Sequence, residues 1–442
     1  MTSPARARLN REDWSRHVRS LLRFLSILFT GLSLGAGSIL SQSAAPWLDS
    51  EVQKIMPKLT TTYEGIHEHP ELGKQEVKTA LLVREYLKTV GYTDFVPEPT
   101  LPTAVIALLD TKKPGKVVVL RSELDARPGN EKADVEYKSQ EAGKMHSCGH
   151  DAHTAILLAA AEILMRHKDQ LSGKFVFLFQ PAEETPGGAD DIVRDGILQK
   201  VQADMIFAQH VAPGLPVGTM QVAPGPIMAS STYFTVNVHG ADSHAASPET
   251  GADVVRVAAE LASAMSSFPA RHLNVLDQPT IISITHFEAG QHSALNRIPG
   301  DAVFEGTLRS FSDAGSAEYK AMIAALDAHI GGLGKANSVT ATIEWRTGSP
   351  VATNDAKLLR TIVPVLTRTW DGPLLTDNQR SMYSEDFAYY TSILPSLYFS
   401  LGISDGTRGM HGVHTDEFDI SLDALPKGAK FLVTLALAAQ VN

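Results

Sequence analysis

Four short apolar runs, separated by segments with helical periodicity, constrain the fold of this chain more than any other feature. The runs are rich in β-branched and aromatic residues and cover residues 104–109, 117–120, 175–179 and 205–208. Stretches such as residues 154–166 carry apolar side chains at helical spacing between them. Strands that alternate with helices in this way predict an α/β sheet that is buried on both faces.

Polar side chains that can bind metals follow three of these runs. Asp125 follows the second run, Glu183 and Glu184 follow the third, and His210 is predicted to end the fourth. Because ligands collect beyond the carboxyl ends of parallel strands, we expect these four side chains to meet at one edge of the sheet.

The pattern changes after residue 229. A strand with alternating apolar and polar residues, a helix, two strands, a second helix and a last alternating strand follow one another between residues 230 and 346. This βαββαβ order is typical of a ferredoxin-like domain. We therefore predict a catalytic domain in two parts, residues 44–229 and 347–442, with an inserted domain at residues 230–346.

Residues 1–43 have the layout of a secretory signal peptide. An arginine-bearing start precedes an apolar run over residues 24–40 and the small-residue pattern Ser41-Gln42-Ser43. The pattern predicts cleavage near Ser43 and export to the periplasm or the medium. An uncleaved membrane anchor is the alternative, because about 17 apolar residues approach the shortest span of a bilayer.

Charge argues against nucleic-acid binding. The leader holds six arginines and two carboxylates, so the remaining chain carries 33 cations and 47 carboxylates, a net charge of −14. A polyanion would be repelled by such a surface.

The stretch GKMHSCGHDAHTA, residues 143–155, contains the only cysteine of the chain. An exported protein with one cysteine has no internal disulfide, and a free thiol is at risk of oxidation in that compartment. The polar and flexible neighbours of Cys148 favour metal ligation over packing in a core. In an extended segment Cys148 and His150 would point to the same side, as two ligands of zinc or a related ion.

The stretch QPAEETPGG places two adjacent carboxylates on a turn after a buried strand. One carboxylate can bind a metal while its neighbour takes a proton from water, although an isolated Glu-Glu pair is more commonly a solvated acidic turn. His210 and His414, taken singly, are equally compatible with structural roles. His67 and His69 have the wrong spacing for two ligands on one helical face, and we predict structural roles for both.

Together these motifs resemble the M20 metallopeptidases, and within them the amidohydrolase branch of hippurate hydrolases, N-acyl amino acid amidohydrolases and auxin-conjugate hydrolases. Nine segments, which contain at least eight motifs of the family, occur in the family order from about residue 45 to the C-terminus. They are IHEHPELG, RSELDARP, GKMHSCGHDAHTA, FQPAEETPGGA, QHVAPGLPVG, HAASP, LNRIPGDAVFEGTLRSF, YSEDFAYY and HTDEFD.

The resemblance implies a di-metal exopeptidase-type catalytic domain with an inserted lid, and two divalent ions per subunit (zinc, manganese or cobalt). It makes Glu183 the general base and His244 a lid histidine that polarises the substrate carbonyl and can come from the partner of a homodimer. Asn296 and Arg309 would lie near the substrate carboxylate, and Asp125 would orient a ligand. The implied metal ligands are Cys148, which bridges the two ions, His150, Glu184, His210 and His414.

The implied reaction is hydrolysis of the amide bond of a small N-acyl amino acid or a related conjugate. A carboxypeptidase or dipeptidase acting on unblocked peptides is the first alternative, and a noncatalytic binding protein with the same fold is the second. Two motifs depart from the branch. RSELDARP stands where a form closer to RADMDALP is usual, which makes Glu123 and Arg127 unusual, and QHVAP replaces a stretch that usually contains an aromatic residue.

Overall fold

The computed structural model describes residues 45–377 and 380–441. The predicted leader, residues 1–43, lies outside the described residues. No helix within the described ranges combines the length and the apolar character needed to cross a membrane.

A seven-stranded sheet forms the centre of the first domain, in the order β1-β5-β2-β6-β17-β7-β16. Strands β2, β5, β6 and β17 are parallel to one another, and β1 is antiparallel to β5. The seven strands are β1 (Val105–Asp110), β2 (Val117–Glu123), β5 (Lys174–Gln180), β6 (Met205–Pro216), β7 (Met220–Gln221), β16 (Leu374–Leu375) and β17 (Ser396–Ser404). Three further pairs of short strands are β3 (Arg127–Pro128) with β4 (Lys144–Met145), β8 (Gly225–Met228) with β15 (Ala352–Asn354), and β10 (Ser243–His244) with β12 (Arg297–Ile298).

Both faces of this sheet are buried, which confirms the α/β class predicted from the apolar runs. Successive residues of one strand enter different cores: Phe175 and Phe177 face one core, and Val176 and Leu178 face the other. The helices of the first domain are α1 (Leu48–Glu68), α2 (Val77–Thr89), α3 (His150–Arg166), α4 (Gly188–Arg194), α5 (Ile197–Lys200), α8 (Ala356–Thr369), α9 (Ala388–Thr391) and α10 (Ala424–Gln440).

Residues 230–347 form a second sheet with its own core. Its antiparallel order is β11-β13-β9-β14, and two helices pack their apolar stripes against one face. Along the chain the elements are β9 (Ser230–His239), α6 (Val254–His272), β11 (Thr280–Ala289), β13 (Asp301–Ser310), α7 (Ala317–Ala336) and β14 (Thr340–Thr347). The chain then returns to the first sheet, because β17 pairs with β6.

Candidate metal centre and active site

The side chains that follow the central strands meet at one edge of the sheet. Strand β2 lies between β5 and β6, so the segments that follow these three parallel strands are neighbours. Asp125 comes from the first segment and Glu183 and Glu184 from the second, as expected. His210 is not at a strand end as predicted, because β6 continues to Pro216 through its pairing with Ser404 of β17.

Cys148 and His150 meet through a left-handed turn. Gly149 has φ 84° and ψ 14°, and α3 begins at His150, so the prediction of an extended segment here is wrong. A Cβ atom at Gly149 would lie 2.5 Å from Cγ2 of Val211, which leaves room for glycine alone. The turn lets the helix carry one ligand and the preceding loop the other.

The first ligand group consists of Cys148, His150 and His210, whose ligand atoms all lie within 4.8 Å of one another. Sγ of Cys148 is 3.4 Å from Nε2 of His210. Each imidazole places Nδ1 2.8 Å from a backbone carbonyl, that of Asp125 for His150 and that of Val211 for His210. Donation from Nδ1–H leaves the Nε2 lone pair free for a metal, and Nε2 of His150 is buried with no hydrogen-bond partner among the described residues.

The second ligand group consists of Cys148, Glu184 and His414, again within 4.8 Å. Nε2 of His414 lies 3.3 Å from Sγ of Cys148 and 3.0 Å from Oε1 of Glu184. The backbone N–H of His414 donates to the carbonyl of Ser147 at 2.7 Å, which holds the C-terminal loop beside the thiol. Cys148 therefore belongs to both groups, as a bridging ligand must.

Asp125 fixes the turn that carries the two glutamates. Its carboxylate accepts the backbone N–H of Glu183 at 3.1 Å and that of Glu184 at 2.9 Å. The same carboxylate lies 3.3 Å from Nδ1 of His150. The buried side chain of Asp125 thus orients His150 of the first ligand group, Glu184 of the second group and the neighbouring Glu183.

Glu183 is the carboxylate of this turn that faces other acids. Its oxygen lies in one group with Glu385 and Asp386, and the backbone N–H of Asp386 is 3.4 Å from Oε1 of Glu183. Burial, then the charges of Glu385 and Asp386, raise the pKa of Glu183 well above its usual range. A higher pKa makes this carboxylate a stronger proton acceptor.

The members of the ligand groups differ in protonation state. Burial alone would lower the pKa of His150, but Cys148 and Asp125 raise it well above its usual range, so this imidazole must lose a proton before it binds an ion. Burial lowers the pKa of His210 to about 3, so this imidazole is neutral. Burial alone would raise the pKa of Glu184, but the hydrogen bond with His414 lowers it to about 2. Burial raises the pKa of the Cys148 thiol, so this group also must lose its proton when it binds an ion. Thiolate, imidazole and carboxylate donors fit divalent first-row ions such as zinc, manganese or cobalt.

A buried ion network lies behind Glu183. The guanidinium of Arg121, which is fully shielded from solvent, donates to Glu123, to Glu385 at 3.0 Å and to Asp386 at 2.7 Å. The hydroxyl of Tyr398 donates to the second oxygen of Glu385 at 2.8 Å. The resemblance placed Glu385 and Asp386 near the site without a definite role. The sequence signal for the network was the pair of ionisable residues, Arg121 and Glu123, inside the otherwise apolar strand β2.

No described contact joins the predicted substrate residues of the second domain to the ligand groups. His244 is exposed in β10, and the N–H of the next residue donates to the carbonyl of Asn296 at 2.8 Å. Arg309, on β13, donates to the hydroxyl of Ser384. No described contact joins His244 to Cys148, so the roles of His244, Asn296 and Arg309 stay predictions.

Comparisons with known proteins agree on one family. Residues 119–438 match the model described as peptidase family M20/M25/M40. A thermostable carboxypeptidase from Saccharolobus solfataricus is 33% identical over 394 residues, which cover 88% of this chain and 97% of the relative. An N-acetyl-L-cysteine deacetylase from Bacillus subtilis is 34% identical over 367 residues, 83% of this chain and 84% of the relative.

The solved structures give the same result. A dinuclear metal-binding peptidase of the M20 family from Bacillus subtilis superimposes with a TM-score of 0.75 at 28% identity. The match covers 88% of this chain and 99% of that protein.

Proposed function

The chain belongs to peptidase family M20/M25/M40, and on that premise we propose that it hydrolyses the amide bond of N-acyl amino acids or related conjugates. The observation that carries the proposal is Cys148, which is shared by two ligand groups with the carboxylate of Glu183 beside them. The relative from Bacillus subtilis that removes an acetyl group from N-acetyl-L-cysteine supports the choice of substrate class.

Two divalent ions would be held by Cys148, His150 and His210 on one side and by Cys148, Glu184 and His414 on the other. When bound, such ions lower the pKa of water and polarise the scissile carbonyl. The dinuclear centre of the related Bacillus subtilis peptidase supports this assignment.

Glu183 takes the proton from the attacking water and returns it to the leaving nitrogen. The ionised form of Glu183 accepts the proton in the first transfer, and its raised pKa favours the protonated form that the second transfer needs. Asp125 holds the backbone of Glu183 during both transfers. His244 donates a hydrogen bond to the developing oxyanion once it reaches the site.

A carboxypeptidase acting on unblocked peptides is the second candidate, because a carboxypeptidase is 33% identical over 88% of the chain. The two candidates differ in the group on the nitrogen side of the substrate. An N-acyl amino acid carries no positive charge there, whereas a free peptide carries an α-ammonium group.

The deciding experiment is a substrate panel on protein reconstituted with zinc, manganese or cobalt. We expect kcat/KM for N-acyl amino acids to exceed that for matching dipeptides. A preference for the dipeptides would establish the second candidate. Full activity of purified protein that contains no metal and resists chelators would refute both.

We propose two further properties of the whole protein. Residues 1–43 direct export and are removed near Ser43, which the N-terminal sequence of the secreted protein tests; retention in the membrane would mean that the leader is an anchor.

The second domain mediates a homodimer. The exposed His244 and the apolar side chains of Ile281 and Phe287 on the edge strand β11 support this, and light scattering measures the mass.

A further inference from the structure

A third group of ligand-type side chains lies behind the metal centre. It consists of Glu123, His150 and His153, whose candidate ligand atoms all lie within 4.8 Å of one another. Each of the three residues is at most 1% exposed. His153 belongs to the motif GKMHSCGHDAHTA, and the mechanism proposed above gives it no role. Its hydrogen bonds decide whether this group binds a further ion or supports the first ligand group.

Both ring nitrogens of His153 are already engaged. The backbone N–H of Val211 donates to Nε2 of His153 at 3.0 Å. A backbone amide can only donate, so Nε2 carries no proton and its lone pair is used. The ring proton of the neutral imidazole is therefore on Nδ1, which donates to Oε2 of Glu123 at 2.7 Å. His153 consequently has no lone pair left for an ion.

The end of a strand pairing explains why Val211 needs this acceptor. On its β2 side, β6 is paired as far as Ala208, which lies opposite Arg121, although β6 itself continues to Pro216. The next buried N–H groups on that side need other partners. His153 is on α3 and is hydrogen-bonded to Glu123 of β2, so its ring takes the place of a neighbouring strand.

Val211 in turn holds a residue of the first ligand group. Its carbonyl accepts the Nδ1–H of His210 at 2.8 Å, and Nε2 of His210 is 3.4 Å from Sγ of Cys148. The rings of His153 and His210 also contact each other, with centroids 4.6 Å apart. A chain of hydrogen bonds therefore runs from Glu123 through His153 and Val211 to the first ligand group.

We infer that His153 is a positioning residue, which holds His210 in place as a ligand through the backbone of Val211. This inference rests on the proposed dinuclear hydrolase and deepens it. It also predicts a selective effect, because the second ligand group, which contains Glu184 and His414, does not include His210. Loss of the acceptor at Nε2 of His153 should weaken binding of the first ion and leave the second unaffected.

The test separates the two hydrogen bonds of His153. His153→Gln keeps an acceptor near the position of Nε2, whereas His153→Asn keeps a donor near Nδ1 and loses the acceptor for Val211. In His153→Asn we expect the affinity for the first ion to fall by about 10- to 100-fold, the usual effect of losing a group that orients a metal ligand. His153→Gln should restore most of this affinity.

Calorimetric titration of the metal-free protein with cobalt measures both binding steps, and His210→Ala identifies the step that belongs to the first group. The visible absorption bands of bound cobalt report the arrangement of its ligands. His167→Asn is the matched control, because His167 follows the other end of α3 and contacts Gln170 and Trp47. This control should leave both affinities and the cobalt bands unchanged.

The outcomes separate the inference from its premise. If the unsubstituted protein binds the ions but hydrolyses no substrate of the panel, the proposed function fails, and the affinities still decide the inference. Equal loss of both ions in His153→Asn, or a loss that His153→Gln does not restore, would mean that His153 only packs in the core. A third bound ion that is absent from His153→Asn would make His153 a ligand and also overturn the inference. If His153→Asn does not fold, His153→Met carries the same comparison, because its thioether is a weak acceptor.

Discussion

The ligand groups and the loop around His244 differ in whether contacts within the single chain hold them in place. Cys148 and His150 are buried, and their partners His210 and His414 adjoin Val211 and Val413, which pack into one core. His244 lies exposed on a two-residue strand of the second domain, with no described contact to that core. The comparison shows that packing brings the ligand groups together within the single chain, whereas the role proposed for His244 requires domain closure or another subunit.

The largest expected effect on activity comes from replacing Glu183, the carboxylate beside the ligand groups. Glu183→Gln should lower kcat by about 10²- to 10⁴-fold, because it removes the proton acceptor while keeping its shape. Both ions should remain bound, as elemental analysis of the variant would show. The matched control is Glu288→Gln, an exposed carboxylate of the second domain. Unchanged kcat in Glu183→Gln would remove Glu183 from the mechanism.

The free energy of unfolding tests whether the buried network of Arg121 stabilises the site. Arg121→Met should lower the free energy of unfolding by about 3–5 kcal/mol, because it leaves buried carboxylates without their cation. Denaturant unfolding at saturating metal measures the change. Arg256→Met, at an exposed site, should change it by less than about 0.5 kcal/mol. Equal effects of the two substitutions would mean that the buried network does not stabilise the site.

On the other side of the comparison, His244→Ala should lower kcat by about 100- to 1,000-fold, the usual effect of removing one oxyanion donor. Metal content and the unfolding midpoint should be unchanged, because the side chain is exposed. Mixing this variant with Glu183→Gln sharpens the test. Recovery of activity in the mixture would mean that His244 acts across a dimer, and no recovery would mean that it acts within its own subunit.

The smallest expected effect concerns the orientation of the ligands. Asp125→Asn keeps one of the two oxygens that each accept a backbone N–H but replaces the other with an NH2 group, which cannot accept, so metal affinity should fall by about 10- to 100-fold. Competition with a chelator measures it, and the exposed Asp134→Asn is the control. Equal affinities would show that the turn holds its shape without Asp125.

The local sequence predicted much of the fold and the types of ligand. Alternation of apolar runs and helical segments located the central strands, and the polar residues after them indicated the correct edge of the sheet. The two wrong predictions concern the conformation around Gly149 and the end of β6, which depend on a single backbone angle and on pairing with a distant strand. The left-handed Gly149 replaced the expected extended segment, and pairing with β17 extended β6 past His210.

The sequence by itself therefore determined which chemical groups are available: one thiol, a pair of adjacent glutamates and histidines after apolar runs. Only the tertiary structure decided which of them meet. Cys148 and His414 are 266 positions apart, and two of the three carboxylate partners of Arg121, Glu385 and Asp386, are 264 and 265 positions away from it. Chain-local patterns report burial and backbone preference, whereas contacts at such separations follow from the packing of the whole core.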